Sequence, residues 1–319
     1  MKKIGLTVYG ISVLTNENQR KELHNVYGKS IIDIIKDYAN AKINNYLRDD
    51  QNEKLFTFDS INTEIVKNKN GQDSYELLYG RVKTGEYGIE SELVDINTGD
   101  TYNRTADQAD IMPFGFCLAV PYGDIDNAVI VLQTIGIYGM KTILQEQLKD
   151  CIKEIDNDLR INIGVIVPRT YIDRFFQQGV LQAIRMIRYE IPEDDSNRIG
   201  INYGVKQTYE ERIIRKPLGF MERNNRKLDE WKRGQRRYTD VVEIKDFKYD
   251  DLKLDFKLGR TNKTISLKNV DNVAVTEDVT DLVDQVGGHP TFNSLKIVMK
   301  NTAREYLIGK GLIPNEEMG

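Results

Sequence analysis

A series of short β-type segments between Leu55 and Val120 constrains the fold of this chain more than any other feature. Three turn signals separate these segments: Asn70-Gly71, Thr84-Gly85 and Asn97-Thr98-Gly99-Asp100. Glycine and asparagine favour tight turns, and several strands at this spacing favour an antiparallel meander. Because helical patterns occur elsewhere in the chain, the sequence predicts an α+β fold.

The segments outside this meander alternate between strand and helix patterns. Ile4, Leu6 and Val8 alternate with less apolar residues, which predicts a half-buried strand. Ser30 is expected to cap a helix whose apolar stripe continues to Tyr46. Further strands are predicted at Asn127–Thr134, Ile161–Val167 and Ala183–Ile191, with helices from about Thr142 and Thr170. The last two strands and the helix between them predict a β-α-β unit of the ferredoxin-like kind.

The length of 319 residues favours two domains. A polar, highly charged segment at Asn202–Tyr238 interrupts the apolar patterns, so a domain boundary is expected near residue 200. Residues 1–200 would form an α+β domain, and residues 201–319 a basic segment followed by a β-rich region. Strands are predicted there at Val241–Tyr249, Leu252–Leu258 and Thr264–Leu267.

The rare residue types exclude several classes of protein. The chain has two cysteines, Cys117 and Cys151, and both lie next to apolar residues, so no disulfide framework is expected. Two histidines cannot supply a His-rich zinc site, and no metal or cofactor is predicted. The longest apolar runs are far shorter than the ~20 residues of a membrane-spanning helix. We expect a cytoplasmic protein, and the oligomeric state is left open.

A basic segment from Lys206 to Arg237 is the strongest functional signal. It holds eleven Lys or Arg residues and five Asp or Glu residues, a local net charge of +6 in a chain of net charge −4. Such cations contact phosphates, and interleaved aromatic rings stack on unpaired bases. The residues predicted to bind nucleic acid are Arg212, Arg215, Lys216, Arg223, Arg226, Lys227, Trp231, Lys232, Arg233, Arg236 and Arg237. A docking surface for an acidic protein and a plain solvated surface are the alternatives.

A second, weaker signal is a glycine-containing turn that precedes a predicted helix. Gly136 and Gly139 are followed by Lys141 and Thr142. Glycines allow backbone N–H groups to approach an anion, and a helix N-terminus favours negative charge. The loop is two residues shorter than a nucleotide-binding phosphate loop. A weak anion site is one interpretation, and a tight turn before a helix capped by Thr142 is the other.

A third signal is Glu243-Ile244-Lys245 in the predicted strand Val241–Tyr249. Metal-dependent nucleases of the PD-(D/E)xK type carry Glu-x-Lys on a strand, where carboxylates hold Mg²⁺ and the lysine steadies the attacking water. Asp229 or Asp240 would supply the remaining carboxylate. The simpler interpretation is that Glu243 and Lys245 are cross-strand surface charges.

Three functions remain open at this point. The first is a non-catalytic nucleic-acid-binding or complex-forming protein, and the Lys-, Asn- and Ile-rich composition suggests a bacterial system such as antiviral defence. The second is a Mg²⁺-dependent nuclease that uses Asp229 or Asp240 with Glu243 and Lys245. The third is a protein–protein scaffold that uses the basic segment. The sequence therefore predicts nucleic acid or an acidic protein as the partner.

Overall fold

A computed structural model describes residues 2–123, 126–166, 169–189, 209–245, 247–258, 261–268 and 276–314. The chain forms two compact units. The split unit consists of Met1–Ile166 and Ala274–Gly319, and the inserted unit consists of Val167–Val273. The predicted boundary near residue 200 lies outside the described residues.

The strands and helices are numbered in chain order. The strands are β1 Ile4–Thr15, β2 Arg20–Lys21, β3 Leu47–Asp49, β4 Lys54–Lys67, β5 Asp73–Glu86, β6 Ser91–Val94, β7 Thr101–Arg104, β8 Asp110–Pro121, β9 Ala128–Ile135, β10 Tyr138–Gly139, β11 Leu159–Val165, β12 Val180–Arg188, β13 Glu210–Arg215, β14 Asp251–Leu258, β15 Thr261–Ser266, β16 Thr276–Asp278, β17 Gln285–Val286 and β18 His289–Pro290. The helices are α1 Ile31–Ala41, α2 Lys141–Lys153, α3 Arg169–Gln178, α4 Phe220–Lys232 and α5 Phe292–Gly309. Among the described residues, no helix is both long and apolar enough to cross a membrane.

The split unit is built on one large antiparallel sheet with the strand order β11-β1-β9-β8-β5-β4-β3. Strands β4, β5 and β8 are antiparallel neighbours in this order, with only the β6–β7 hairpin between β5 and β8 in the chain, so the predicted antiparallel meander is confirmed. Helices α1 and α2 contact the sheet and each other, and α5 packs on β8 and β9. Strands β6 and β7 form a separate hairpin between β5 and β8. Together with the helices, these antiparallel sheets confirm the α+β class.

Two of the three predicted turns in the meander are present, and one is wrong. Gly71 and Gly99 adopt φ angles of 77° and 79° at the turns after β4 and β6. Thr84 and Gly85 instead lie inside β5. A Cβ atom at Gly85 would lie 1.8 Å from the backbone oxygen of Asp110. Glycine is required there by the close approach of the neighbouring strand, because no side chain fits the space.

Helix α1 begins where the sequence predicts and ends earlier. The Ser30 side chain accepts a hydrogen bond from the backbone N–H of Asp33 at 3.0 Å, which confirms the cap. The helix ends at Ala41 rather than continuing to Tyr46. Asn44 has a φ angle of 57°, and Ile43 forms a β-bridge with Phe58. The apolar stripe therefore continues past the helix because Ile43 joins the sheet.

The inserted unit is a four-stranded antiparallel sheet with the order β13-β12-β14-β15. Leu254 and Phe256 of β14 are buried, and Phe256 contacts the ring of Phe176 on α3 at 5.2 Å between centroids. Strands β11 and β12, which flank α3, belong to different sheets. The individual elements of the predicted β-α-β unit are present, but its ferredoxin-like arrangement is not confirmed.

Candidate nucleic-acid interface

The basic segment forms one edge strand and one helix of the inserted unit. Arg212 and Arg215 lie on β13, and Lys216, with a φ angle of 49°, follows the strand. Most of the remaining predicted cations lie on α4 or just after it. Arg212 faces the inner side of the sheet, where its guanidinium lies 3.8 Å from the ring centroid of Phe247. Lys206 lies outside the described residues.

Several of the predicted cations are engaged in ion pairs within the inserted unit. Glu230 contacts both Arg226 at 2.8 Å and Arg236 at 2.7 Å. Hydrogen bonds from Arg236 and then Arg226 lower the pKa of Glu230. The other pairs are Arg212 with Glu210 at 3.2 Å, Lys232 with Asp173 at 2.8 Å and with Asp229 at 3.7 Å, Arg237 with Asp240 at 3.5 Å and Lys227 with Glu243 at 3.9 Å. These ion pairs reduce the number of cationic side chains that are available to bind a ligand.

Four predicted cations are exposed and form no side-chain ion pair with any described residue. They are Arg215, Lys216, Arg223 and Arg233. The first two lie at the end of β13, and Arg223 lies in the first turn of α4. These three are therefore close in the chain around the Lys216–Gly219 turn, whereas Arg233 follows the other end of the helix.

Trp231, which the sequence predicts to stack on bases, is engaged inside the unit. Its ring stacks on Phe176, with centroids 6.1 Å apart and an interplanar angle of 19°. Its indole N–H donates to the backbone oxygen of Leu267 at 3.1 Å. The indole therefore links α4, α3 and the end of β15, and base stacking by Trp231 stays a prediction.

The glycine-containing turn is a β-hairpin. Gly136 has a φ angle of 61° in the short connection between β9 and β10, and its N–H donates to the backbone oxygen of Lys3 at 2.8 Å. Gly139 pairs with Thr134. Helix α2 begins at Lys141 with Met140 as its N-cap residue, so the predicted cap at Thr142 is wrong. The Lys141 ammonium lies 5.2 Å from the ring centroid of Tyr9. This geometry favours the turn interpretation.

The described residues of the predicted strand Val241–Tyr249, which exclude residue 246, do not form a strand. Glu243 and Lys245 are exposed in an irregular segment, where Ile244 and Phe247 form an isolated bridge. Asp229 lies on α4, and Asp240 lies in the 3-10 turn Tyr238–Asp240. In the part of the chain that the structure describes, no group of three or more acidic, His or Cys side chains could hold a metal. The nuclease with its Mg²⁺ stays a prediction that lacks the expected strand.

The two units carry opposite charge. The inserted unit contains 23 Lys or Arg and 17 Asp or Glu residues, a formal charge of +6. The split unit contains 22 basic and 32 acidic residues, a formal charge of −10. The net charge of −4 for the whole chain is therefore the sum of a cationic inserted unit and an anionic split unit. A cationic unit of this kind attracts polyanions.

A groove on the outer face of the inserted sheet was not found by sequence reasoning. It has a volume of about 480 Å³ and is lined by Arg185, Ile187, Tyr189, Tyr209, Glu211, Lys253 and Thr264. These residues come from all four strands or from positions just outside them. The signal available in the sequence was Tyr189 near the end of the predicted strand Ala183–Ile191 and Tyr209 within the basic segment.

Comparison with known proteins assigns no family to the chain. No protein-family model matches it, and no curated protein matches it.

Proposed function

We propose that the protein binds nucleic acid non-catalytically through its inserted unit. The observation that carries this proposal is the charge of +6 on that unit, set against −10 on the rest of the chain. Phosphate backbones bind such surfaces because cations displace the counterions that surround the nucleic acid. A role in a bacterial defence system belongs to the same proposal and rests on composition alone.

The four unpaired cations are the residues best placed to contact phosphates. A cation that already forms an ion pair must leave its carboxylate partner or share it, which weakens its contact with a phosphate. Arg215, Lys216 and Arg223 also lie near the N-terminal end of α4, where the helix dipole favours negative charge.

Two charge-neutralised variants of the full-length protein test this proposal. The test variant replaces unpaired cations with alanine: Arg215, Lys216, Arg223 and Arg233. The matched control replaces the same number of paired cations: Arg226, Lys227, Arg236 and Arg237. Fluorescence anisotropy with labelled oligonucleotides at several salt concentrations gives the affinity and its salt dependence, and far-UV circular dichroism checks folding.

We expect the test variant to lose more affinity than the control. Each lost phosphate contact on a single strand lowers the slope of log K against log salt by ~0.7, so the slope falls by about 2–3. Equal losses in the two variants, or no binding by the unmodified protein at low salt, would refute the proposal.

A second candidate function is docking of an acidic protein partner on the same edge. The observation that favours it is the apolar exposure beside the cations: Leu218 is 94% exposed and Ile214 is 42% exposed. Nucleic-acid backbones do not need such side chains, whereas protein interfaces use them. Leu218→Ser would weaken a protein partner and leave oligonucleotide affinity unchanged.

A further inference from the structure

The outer face of the inserted sheet combines polar groups with exposed aromatic rings. Arg185 lines the groove, and its guanidinium contacts Asp255 at 2.7 Å and Glu211 at 3.3 Å. The Thr264 hydroxyl donates to Asp255 at 2.6 Å. The Lys253 ammonium, which pairs with Asp251 at 3.8 Å, also lines the groove. The groove thus offers carboxylate acceptors and cationic donors in fixed positions.

Two tyrosines lie at one end of this groove. Tyr189 is 48% exposed and Tyr209 is 56% exposed. The last pair between β12 and β13 is Arg188 with Glu210, so the register places the two tyrosines opposite each other one position further on. Residues opposite each other on antiparallel strands share a face, so both rings belong to the outer face. The backbone N–H of Tyr189 donates to Asp250 at 2.8 Å, which fixes the end of β12.

Basic side chains flank these rings along the same face. The Lys268 ammonium lies 5.8 Å from the ring centroid of Tyr189. Arg215 lies six residues from Tyr209 along β13, on the same face because side chains alternate. At about 3.3 Å per residue, roughly 20 Å separates them, so a strand of nucleic acid can contact both.

We propose that this groove binds the unpaired bases of single-stranded nucleic acid, with Tyr209 and Tyr189 as stacking platforms. The proposal rests on the proposed function and names its ligand class. Every base has a face that can stack on an aromatic ring. The carboxylates of Glu211 and Asp255 accept hydrogen bonds from the amino groups of bases. Phosphates contact the basic side chains at the two ends of the face, Lys268 beside Tyr189 and Arg215 at the end of β13.

The chemistry of the groove favours a single strand over a duplex. In a duplex the base faces are covered by neighbouring base pairs, so the tyrosine rings find no stacking surface. A double helix therefore gains only the cationic contacts, whereas a single strand gains those contacts and the stacking.

The test compares Tyr209→Ala and Tyr189→Ala in the full-length protein with the same oligonucleotide as a single strand and as a duplex. Tyr209→Phe keeps the ring and is the conservative variant. Tyr102→Ala in the β6–β7 hairpin is the matched control, because Tyr102 is 55% exposed. Anisotropy gives each affinity, and far-UV circular dichroism checks that each variant is folded.

We expect each alanine variant in the groove to weaken single-strand binding about tenfold and to leave duplex binding unchanged. Tyr209→Phe and Tyr102→Ala retain the unmodified affinity. Unchanged single-strand affinity in both groove variants, or an equal loss for single strand and duplex, would overturn the inference while leaving the proposed function in place. Absence of binding to both forms by the unmodified protein would instead reject the proposed function and this inference together.

Discussion

Asp59 provides a direct test of the electrostatics of the split unit. It lies at an irregularity between β4 and β5, where the register shifts between Phe58 and Ser60. Its carboxylate contacts Arg81 at 2.7 Å and Lys83 at 2.5 Å, and the side chain is only 10% exposed. Asp59→Asn keeps the shape of the side chain and leaves the two cations next to each other without a counter-charge.

The size of the effect follows from the burial of the carboxylate. Breaking a fully buried ion pair costs about 3–5 kcal/mol, and exposed pairs contribute about 0–1 kcal/mol. The Arg81 and Lys83 side chains are 38% and 35% exposed. We therefore expect a loss between these limits, about 2 kcal/mol in the free energy of unfolding at pH 7.

The dependence on pH follows from the pKa of Asp59. Burial alone raises this pKa, but Lys83 and Arg81 together outweigh burial and hold it below the ordinary value of 3.8. A carboxyl group with a lowered pKa stabilises the folded state above the unfolded-state pKa, and this contribution is lost as the pH falls through the folded-state pKa. The difference between the unmodified protein and Asp59→Asn is thus complete at pH 5.5–7 and shrinks below about pH 4.

Urea unfolding followed by far-UV circular dichroism measures this difference. With a slope of about 2–3 kcal/mol/M, the midpoint moves down by roughly 0.7–1 M at pH 7. Asp50→Asn is the control, because Asp50 forms a similar pair with Arg48 at 2.8 Å and is 74% exposed. Its midpoint shift is expected to be smaller because water screens the pair. Equal shifts in the two variants, or a difference that grows as the pH falls, would refute the reasoning.

Two further predictions concern the single tryptophan and the two thiols. Trp231→Phe removes the indole N–H that donates to the Leu267 oxygen, and it removes part of the ring surface that packs in the unit. We therefore expect the free energy of unfolding to fall by about 1–2 kcal/mol, as measured by urea unfolding. An unchanged midpoint would show that this contact does not stabilise the unit. Burial raises the pKa of Cys117 and of Cys151 to about 12. At pH 8 neither thiol should react with Ellman's reagent until the protein unfolds, and rapid labelling of the native protein would contradict that burial.

The elements of the split unit could be predicted because their local signals agree with their positions. Alternating apolar residues predict β1, and a capping serine predicts the start of α1. Thr84-Gly85 shows where this reasoning fails. A glycine in a strand and a glycine in a turn look alike in sequence, and only the backbone of Asp110 beside Gly85 distinguishes them.

The strand prediction for Val241–Tyr249 is wrong for a different physical reason. Its alternation places Val241, Glu243 and Phe247 on one face of a strand. In the structure Val241 and Phe247 are buried while Glu243 between them is exposed, so the three residues do not line one continuous buried face. The chain instead turns at the bridge between Ile244 and Phe247, and the Tyr249 hydroxyl donates to the Val242 oxygen at 2.6 Å.

From the sequence, only the clustering of basic residues in the candidate site could be predicted. Sequence shows the cations of the basic segment but not their partners, since Lys232 pairs with Asp173, far away along the chain. The groove on the inserted sheet could not be predicted from the sequence either. Arg185 and Lys253 lie on β12 and β14, and Tyr209 lies just before β13, so these residues become neighbours only when the sheet forms.

Because the inserted unit interrupts the split unit in the chain, the split unit can be completed only after the inserted unit has been synthesised. The Val279 N–H donates to the Ile4 oxygen at 3.0 Å, and Thr280 accepts from the Ile4 N–H at 2.9 Å. Helix α5 contributes Leu295 and Met299 to the core beside β8 and β9. A growing polypeptide thus leaves part of β1 and one apolar face of the sheet uncovered until residues 276–309 emerge from the ribosome. Prematurely terminated chains should consequently be substrates for chaperones and proteases.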